Sequence, residues 1–571
     1  MKNTSILGDR FEGACHNGMS GGYTLKDAFR FLKPYMHSYQ KYFVAFYIGW
    51  LAETMIVVLI PKLFGIMLDQ IIYQRDMTEF FKVSGVVVFL SLYSCILYFW
   101  LYAKHHYLMV MFPFGIKIKA FEKFFQMSPA DLKKLKHGEV MAVIQEYPSE
   151  CMHFLIRGMI HQANNFIIIA FLLLFSFKTH FMAGVMMTVL SGICGGITIF
   201  SGSKSKEASI AQKEQYGKYV SWLYEMIENF LSIRFLSMQK TVKTKFDHFS
   251  AEIFRQKDRM NLLQTLSEQM IKGLFLISQL SIFAVSVYLI KESVITIGAF
   301  TVLMAYFSMI TAKIIDINQK WNDAQTRVGF IRKIQEFMEH PDEADNGKLQ
   351  MERGPGKIEL NNVCFSYGSK QILQNFSLQV NPGEKIAVTG SSGCGKSTLT
   401  ELLTGMIKAD RGEIKIDGIE IGEYSLKSLR KEIGIMFQDA FVLEGSLKEN
   451  LLLSNKNAVE AQLYHVIRDL GLEDYMKDWP DGMDTQIGGL LSGGQKQRLA
   501  LCQLWLQNPN IIILDEPTAA LDEAAETDII SKCMDLFRDK TMIIVTHRRQ
   551  TAELCDRVVR IGVKSEKTNK A

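Results

Sequence analysis

The chain has 571 residues, of which 48% are apolar and 22% charged, and its mean hydropathy is +0.08. That value is too high for a disordered chain and too low for one that lies wholly in lipid, so it predicts two unlike halves. The net charge of +5 is too small to indicate nucleic-acid binding, and the nine cysteines, irregularly spaced and without a Cys-x-x-Cys pair, exclude a disulfide framework or a zinc ribbon.

The N-terminal tail, residues 1–23, is polar and has no apolar run, so it is not a signal peptide, and we assign it no role. Residues 24–40 alternate apolar side chains such as Leu25 and Phe29 with basic ones such as Arg30. This pattern predicts an amphipathic helix that lies on a membrane surface.

Six later segments are apolar over about the 20 residues that a membrane-spanning helix needs. They are Tyr42–Ile66, Val83–Ala103, Leu155–Phe177, Phe181–Phe200, Met270–Ile290 and Ile297–Ile314. Residues 41–335 are therefore predicted to form an α-helical transmembrane domain with six spans and two long cytoplasmic loops, embedded in the lipid bilayer of the cell membrane.

The orientation of these spans follows from the distribution of Lys and Arg, which accumulate on the cytoplasmic side of membrane proteins. Basic residues are concentrated in the two long connections, Lys104–Phe154 and Lys204–Glu268, whereas the connections at Asp69–Glu79 and Lys291–Ser293 are short and carry both signs. Both long connections and both chain ends are accordingly predicted to be cytoplasmic.

Some ionisable residues fall inside the predicted spans, where a bare charge is costly and indicates a function. Glu53 lies near the middle of the first span, with Pro61 and Lys62 above it, and Arg157 and His161 lie one turn apart in the third span. Two interpretations of Glu53 remain open: it faces a central cavity and meets a cationic or polar substrate, or it pairs with another helix of the bundle.

Residues 336–356 read as a polar linker, residues 357–563 as an α/β domain and residues 564–571 as a polar tail. In the α/β domain the predicted strand Lys385–Thr389 leads into a complete phosphate-binding loop, placed between a strand and a helix. The loop and the residue after it are Gly390, Ser391, Ser392, Gly393, Cys394, Gly395, Lys396, Ser397 and Thr398.

The chemistry of this loop follows from its residue types. Glycines let backbone N–H groups surround phosphates, and the helix N-terminus adds positive potential. We expect Lys396 to reach the β- and γ-phosphates and the Ser397 hydroxyl to ligate Mg²⁺. Cys394 lies beside that helix N-terminus and Lys396, both of which favour the thiolate, so a reactive thiol is predicted.

A second predicted strand, Ile511–Leu514, ends in Asp515 and Glu516. Carboxylates at the end of a strand beside a nucleotide suit Mg²⁺, the role predicted for Asp515, and the attacking water, the role predicted for Glu516.

A third motif precedes the predicted helix Gln497–Gln507, so its hydroxyl and N–H groups could form a second anion site at a helix N-terminus. Its residues after Leu491 are Ser492, Gly493, Gly494 and Gln495. One chain then has two half-sites for a nucleotide, which suggests that two chains share each nucleotide.

With these motifs, the region from about Lys357 to Val563 resembles the nucleotide-binding domain of ATP-binding-cassette (ABC) transporters, whose signature is the Leu-Ser-Gly-Gly-Gln run. The N-terminal half resembles the six-span domain of the exporter-type members. The resemblance implies four further roles: Tyr367 stacks on adenine, Gln438 contacts Mg²⁺, Asp522 joins the two sites across the dimer, and His547 holds the γ-phosphate.

The resemblance further implies a half-transporter that binds ATP and Mg²⁺ and pairs with a second copy of itself or with a related chain. Glu516, His547 and Lys396 are the expected catalytic residues. The implied activity is ATP-driven export of an amphipathic or hydrophobic small molecule or peptide. Two alternatives are an ATP-gated or ligand-sensing membrane ATPase that does not pump, and an importer with the exporter-type fold.

Two departures from the family pattern limit the resemblance. The stretch between Gly488 and the signature is a few residues shorter than usual and lacks a glutamate, so we expect its contact to the intracellular helices to differ. The chain also ends soon after Ile561, so the resemblance does not extend to the C-terminal dimer contacts of the family.

Overall fold

The computed structural model describes residues 23–135, 137–345, 347–391, 393–438, 440–477, 479, 481–517 and 523–561. The chain forms two compact units. The first unit extends to Met127 and resumes from Lys134 to His340; the second comprises Ser128–Lys133 and the chain from Pro341 onward. Two predicted site residues, Ser392 and Asp522, lie outside the described residues.

The chain before residue 340 is built of helices. They are α1 (Leu25–His37), α2 (Gln40–Asp69), α3 (Met77–Gln126), α4 (Pro129–Leu132), α5 (His137–Met141), α6 (Tyr147–His153), α7 (His161–Thr179), α8 (Phe181–Glu228), α9 (Phe230–Phe235), α10 (Gln239–Lys291) and α11 (Ile297–Met338), with π-helical turns at Gln70–Gln74, Ala142–Glu146 and Phe154–Ile160. The short helix α4 belongs to the second unit. The first helix begins at a capping box, in which Thr24 and Asp27 each accept a hydrogen bond from the other's backbone N–H.

Among the described residues, five helical runs are long and apolar enough to cross a membrane. They are Gln40–Gln74, Met77–Gln126, Gly138–Thr179, Gln239–Lys291 and Ile297–Trp321. The remaining predicted span, Phe181–Phe200, lies in α8, whose described apolar part, Phe181–Ile197, is shorter. A helical transmembrane domain is thus confirmed, and its count of six spans stays a prediction.

Helices α2 and α11 touch backbone to backbone at one end. A Cβ atom placed on Gly298 would lie 2.1 Å from the carbonyl oxygen of Gly65, so only glycine fits there. The Asp69 carboxylate accepts hydrogen bonds from the Thr296 hydroxyl at 2.7 Å and from the Gly298 N–H at 2.8 Å. The close approach and the carboxylate together join the end of α2 to the start of α11.

The second unit contains two sheets. An antiparallel sheet has the order β2-β1-β4-β5, and a parallel sheet has the order β6-β7-β8-β3-β9. The strands are β1 (Ile358–Tyr367), β2 (Lys370–Val380), β3 (Lys385–Thr389), β4 (Arg411–Ile416), β5 (Ile419–Glu420), β6 (Ile433–Met436), β7 (Ile511–Asp515), β8 (Thr541–Val545) and β9 (Arg557–Arg560). The helices are α12 (Lys396–Leu403), α13 (Leu426–Glu432), α14 (Leu447–Leu452), α15 (Glu460–Asp469), α16 (Glu473–Met476), α17 (Gly493–Gln507), α18 (Glu523–Leu536) and α19 (Arg549–Glu553), with 3₁₀ turns at Ile421–Glu423 and Gly482–Asp484.

The parallel sheet determines where the predicted nucleotide-binding residues lie. Strands β3, β7 and β8 are nearly continuous apolar runs that are buried along their length, as strands covered on both faces must be. Because all five strands run in the same direction, their carboxyl ends meet at one edge. The phosphate-binding loop leaves β3 there, and the acidic pair stands at the end of β7, with β8 between the two strands.

Candidate active site

The phosphate-binding loop connects β3 to α12 with two glycines in the left-handed region, Gly393 at φ 77° and Gly395 at φ 109°. Other residues adopt that region only under strain. A Cβ atom on Gly395 would also lie 2.9 Å from the Ile372 side chain, so the loop packs tightly on β2. Ser391, Gly393 and Ser397 are exposed, whereas Thr398 is buried.

The Lys396 side chain is 7% exposed, and its ammonium group is folded back over the loop. Its Nζ atom donates hydrogen bonds to the carbonyl oxygens of Gly390, at 3.0 Å, and Ser391, at 3.2 Å. These partners are neutral carbonyl groups. A buried cation with neutral hydrogen-bond partners is well suited to receive an anion, such as a phosphate, at this loop.

Glu516 lies between two of the other predicted site residues. Its carboxylate is 3.3 Å from Nε2 of His547, and it accepts a hydrogen bond of 3.3 Å from the Gln438 side-chain amide. The three side chains come from the ends of β7, β8 and β6 respectively. Glu516 also has φ 49°, a left-handed conformation that costs a non-glycine residue roughly 1–2 kcal/mol and is concentrated at functional sites.

The electrostatics of this edge favour a bound cation. Burial and then the charge of Glu516 raise the pKa of Asp515 above its usual range, while Lys396 and His547 oppose the shift. A divalent ion beside the two carboxylates would add positive charge and oppose this rise in the pKa of Asp515.

The available oxygen donors suit Mg²⁺, which proteins often hold by one or two carboxylates together with substrate phosphates. Within the described part of the chain, no cluster of three His, Cys, Asp or Glu side chains is placed to hold a metal ion. Asp515, the exposed Ser397 hydroxyl and the amide oxygen of Gln438 remain as protein donors. They fit a hard cation that completes its shell with phosphate oxygens.

Tyr367 is 49% exposed and stands at the end of β1. Its ring packs edge-to-face on Phe365 with centroids 4.9 Å apart, and its hydroxyl donates to Glu401 at 2.7 Å. Burial and the hydrogen bond to Glu401 raise the pKa of Tyr367. Lys133 also contacts Glu401, at 2.5 Å, so this carboxylate holds in place an aromatic ring that is half exposed.

The signature residues stand at the start of α17, which begins at Gly493, four residues earlier than predicted, because Ser492 is its N-cap. The backbone N–H of Ser492 donates to the Gln495 side chain at 2.8 Å, and the Ser492 hydroxyl accepts from the Gln495 N–H at 3.4 Å. Ser492 and Gly493 are exposed. The first N–H groups of a helix lack partners within it, so those of Gly493 and Gly494 can meet an outside anion.

The shortened stretch before the signature is anchored to a neighbouring loop. Gln486 forms a bridge with Ser446, and the Ile487 N–H donates to the Gly445 carbonyl at 2.9 Å. Leu490 follows with 66% of its surface exposed. The short stretch before the signature thus presents an exposed apolar side chain.

Two supporting residues carry no sequence signal. Glu526 on α18 is 1% exposed, pairs with the Arg548 guanidinium and accepts from the Thr551 hydroxyl. Arg548 directly follows His547, so this buried ion pair fixes the backbone that carries the histidine. Glu401 is the second such residue, since its position in α12 gives no indication that it would bond to Tyr367.

In the membrane domain, Glu53 is half-buried on α2, and Lys313 of α11 acts on it electrostatically. A separate polar cluster joins α7 to α11: the Asp316 carboxylate contacts Lys320 at 2.6 Å and His161 at 3.2 Å. Both interpretations of Glu53, a substrate contact in a central cavity and a pair within the bundle, stay predictions.

Comparison with known proteins covers both units. Residues 43–314 match the family model described as the ABC transporter transmembrane region, and residues 373–519 match the model described as ABC transporter. A solved structure of a bacterial Atm1-family ABC exporter with ATP bound aligns with a TM-score of 0.80 over 91% of this chain and 93% of that chain, at 19% identity.

Curated relatives include proteins with differently named cargoes. The ATP-dependent lipid A-core flippase of Alkalilimnicola ehrlichii is 26% identical over 455 residues, which cover 78% of this chain and 76% of the relative. A putative multidrug export ATP-binding/permease protein of Bacillus subtilis is 24% identical over 560 residues, 94% of each chain. A cyclolysin secretion/processing ATP-binding protein of Bordetella pertussis is 34% identical over 269 residues, 46% of this chain and 38% of the relative.

Proposed function

Since this chain belongs to the exporter-type ATP-binding-cassette transporters, in which ATP hydrolysis drives transport across a membrane, we propose that the residues at the sheet edge carry out that hydrolysis between two chains. The observation that supports this most directly is the convergence of Glu516, His547 and Gln438 beside the phosphate-binding loop.

Each of the predicted site residues has a role in ATP hydrolysis. Glu516 orients the attacking water and accepts its proton as the water oxygen bonds to the γ-phosphorus and the bond to the ADP oxygen breaks. Lys396 and His547 stabilise the negative charge on the transferring oxygens, and Ser397, Gln438 and Asp515 would hold Mg²⁺, which neutralises phosphate charge when bound. Tyr367 stacks on adenine.

We infer that two copies of this chain form the working transporter, because half-transporters of this fold generally act as dimers and this chain carries both halves of the nucleotide site. The phosphate-binding loop of one copy and Ser492, Gly493, Gly494 and Gln495 of the other would enclose one ATP, and Asp522 would join the two sites. A related half-transporter is the alternative partner.

The concentration of Lys and Arg in the two long connections supports cytoplasmic placement of both ends and of the ATPase unit.

The cargo is then an amphipathic or hydrophobic compound or peptide that leaves the cytosol. Because relatives are named for a lipid A core, for multidrug export and for cyclolysin, membership of the family leaves the cargo open. Glu53 is the candidate for contact with a cationic or polar part of the cargo, and pairing with another helix of the bundle is its alternative role.

Transport assays in sealed vesicles test this function against its alternatives. ATP-dependent accumulation of a candidate cargo in inside-out vesicles supports export, and accumulation in right-side-out vesicles loaded with ATP indicates import. Passive flux that starts on ATP binding without hydrolysis indicates a gate. A screen for compounds that stimulate the ATPase activity supplies the candidates.

Alkylation of Cys394 is expected to abolish ATP hydrolysis, and bound ATP is expected to protect the thiol. A Cβ atom on Gly390 would lie 2.6 Å from the Cys394 sulfur, so an adduct has to displace the loop. The measurement is ATP turnover plotted against the number of thiols alkylated per chain. A Cys394→Ser variant, which keeps the exposed Cys95, is treated with the same reagent as the control. Undiminished turnover in fully alkylated protein would contradict the prediction.

Replacing Tyr367 by Ala is expected to raise the KM for ATP by roughly tenfold, because stacking of a base on an aromatic ring contributes about 1–3 kcal/mol. A Tyr367→Phe variant keeps the ring and removes only the hydrogen bond to Glu401, so its KM should stay near that of the unmodified protein. If the two variants lose the same affinity, the hydroxyl rather than the ring is responsible, and the stacking role is wrong.

A further inference from the structure

A cavity of about 170 Å³ lies inside the membrane domain between α2, α7 and α11. Its walls are apolar side chains, among them Met55, Ile56, Leu59 and Phe175. Tyr306 also lines it, but its hydroxyl donates to the carbonyl oxygen of Val58 at 3.1 Å and is thereby satisfied. Apolar walls of this kind favour contact with hydrocarbon over contact with water.

Among the described residues that line the cavity, Lys62 is the charged one, and its side chain is exposed. Its ammonium group lies 5.5 Å from the centroid of the Phe175 ring, and that of Lys178, one turn further along α7, lies 6.0 Å from the same centroid. Two like charges at one ring repel each other, and a cation–π contact offsets only about 0.5–1 kcal/mol at an exposed site. Within the described residues neither lysine forms an ion pair, so the pair of ammonium groups is suited to an anion.

We propose that this cavity and the two lysines bind one anionic phospholipid of the surrounding bilayer. Lys62 and Lys178 hold the headgroup phosphate, and one acyl chain enters between α2, α7 and α11. The occupant is a lipid because the cavity lies within helices of membrane-crossing length and its lining continues into side chains that are open to the outside, Met55 at 43% and Leu59 at 39% exposure. A small anion would contact the lysines but leave the apolar walls unused.

The site lies in a different unit from the nucleotide site, and its residues take no part in ATP binding. Lys62 falls within a long apolar run, where lysine is costly unless it reaches the interface or meets an anion. Snorkelling alone accounts for a lone lysine. It does not account for a second lysine at the same ring beside an open apolar cavity.

The test is native mass spectrometry of the full-length protein equilibrated with phosphatidylglycerol or phosphatidylcholine. We expect the unmodified protein to retain one phosphatidylglycerol per chain in preference to phosphatidylcholine. The Lys62→Gln/Lys178→Gln double variant should bind phosphatidylglycerol about 30-fold more weakly, from about 1 kcal/mol per lysine near an anionic headgroup. Lys291→Gln, an exposed lysine at the end of α10, is the matched control and should bind as the unmodified protein does.

A second variant keeps both lysines and tests whether an acyl chain occupies the cavity. Ile56→Phe fills the cavity and should weaken phosphatidylglycerol binding at least tenfold, and excess inorganic phosphate should not displace the lipid. Unchanged lipid preference in the double variant, an equal loss in Lys291→Gln, or displacement by inorganic phosphate would each overturn the proposal. Basal ATP hydrolysis and an elution volume equal to that of the unmodified protein report that every variant is folded.

Discussion

A Glu516→Gln variant is expected to hydrolyse ATP about 100- to 10,000-fold more slowly than the unmodified protein, the range that a general base contributes. The amide has nearly the same shape and still accepts a hydrogen bond from Gln438, so ATP binding and closure of the dimer should survive. His547 contacts the same carboxylate at 3.3 Å and would lose a charged partner. Single-turnover hydrolysis and ATP affinity, measured on the same preparation, check both parts.

Glu420→Gln is the matched control for this experiment, because it makes the same chemical change at an exposed residue of the antiparallel sheet. It should leave hydrolysis within about twofold of the unmodified protein, because surface substitutions away from functional features usually change stability by no more than about 0.5 kcal/mol. Near-normal hydrolysis by Glu516→Gln would remove the general-base role, and lost ATP binding would assign Glu516 to binding instead.

The second large effect concerns the sharing of each ATP by two chains. Lys396→Ala removes the cation of the phosphate-binding loop, and Ser492→Arg places a bulky side chain at the exposed start of α17. Each variant alone should lose at least 100-fold in hydrolysis, in line with removal of charge-stabilising donors. Ser492→Arg also loses a helix cap, at a cost of about 1 kcal/mol, which thermal unfolding should report.

Mixed dimers of these two inactive variants should recover activity. Purified with a different affinity tag on each chain, they contain one site with both changes and one intact site, so hydrolysis should return to about half of the normal rate in a symmetric dimer. The control dimer joins a doubly substituted chain to an unmodified one. It carries the same two changes but no intact site.

The comparison between these two mixed dimers decides the question. Higher activity in the first arrangement supports a site shared between chains. Higher activity in the control dimer, which keeps one unmodified chain, or full-speed hydrolysis by a strict monomer, would show that each chain hydrolyses ATP alone.

The local sequence was sufficient for the parts of the site that one stretch of backbone forms. A β-rich run followed by glycines and Lys396 predicts a strand, a phosphate-binding loop and a helix, because these residues satisfy the loop's geometry without help from the rest of the fold. The strand before Asp515 was predicted for the same reason. The start of α17 was predicted four residues late, because Ser492 and Gln495 cap the helix through a reciprocal contact that apolar periodicity does not register.

The sequence by itself therefore determined the family and the two unlike halves, and it predicts the roles of the residues at the strand ends, since each depends on residue types at short spacing. Only the tertiary structure decided which distant side chains meet: Glu401 with Tyr367, Glu526 with Arg548, and Lys62 with Phe175. Such pairs are separated by tens of residues or more and have no period or motif. Their contacts arise from how strands and helices pack, which is a property of the whole fold.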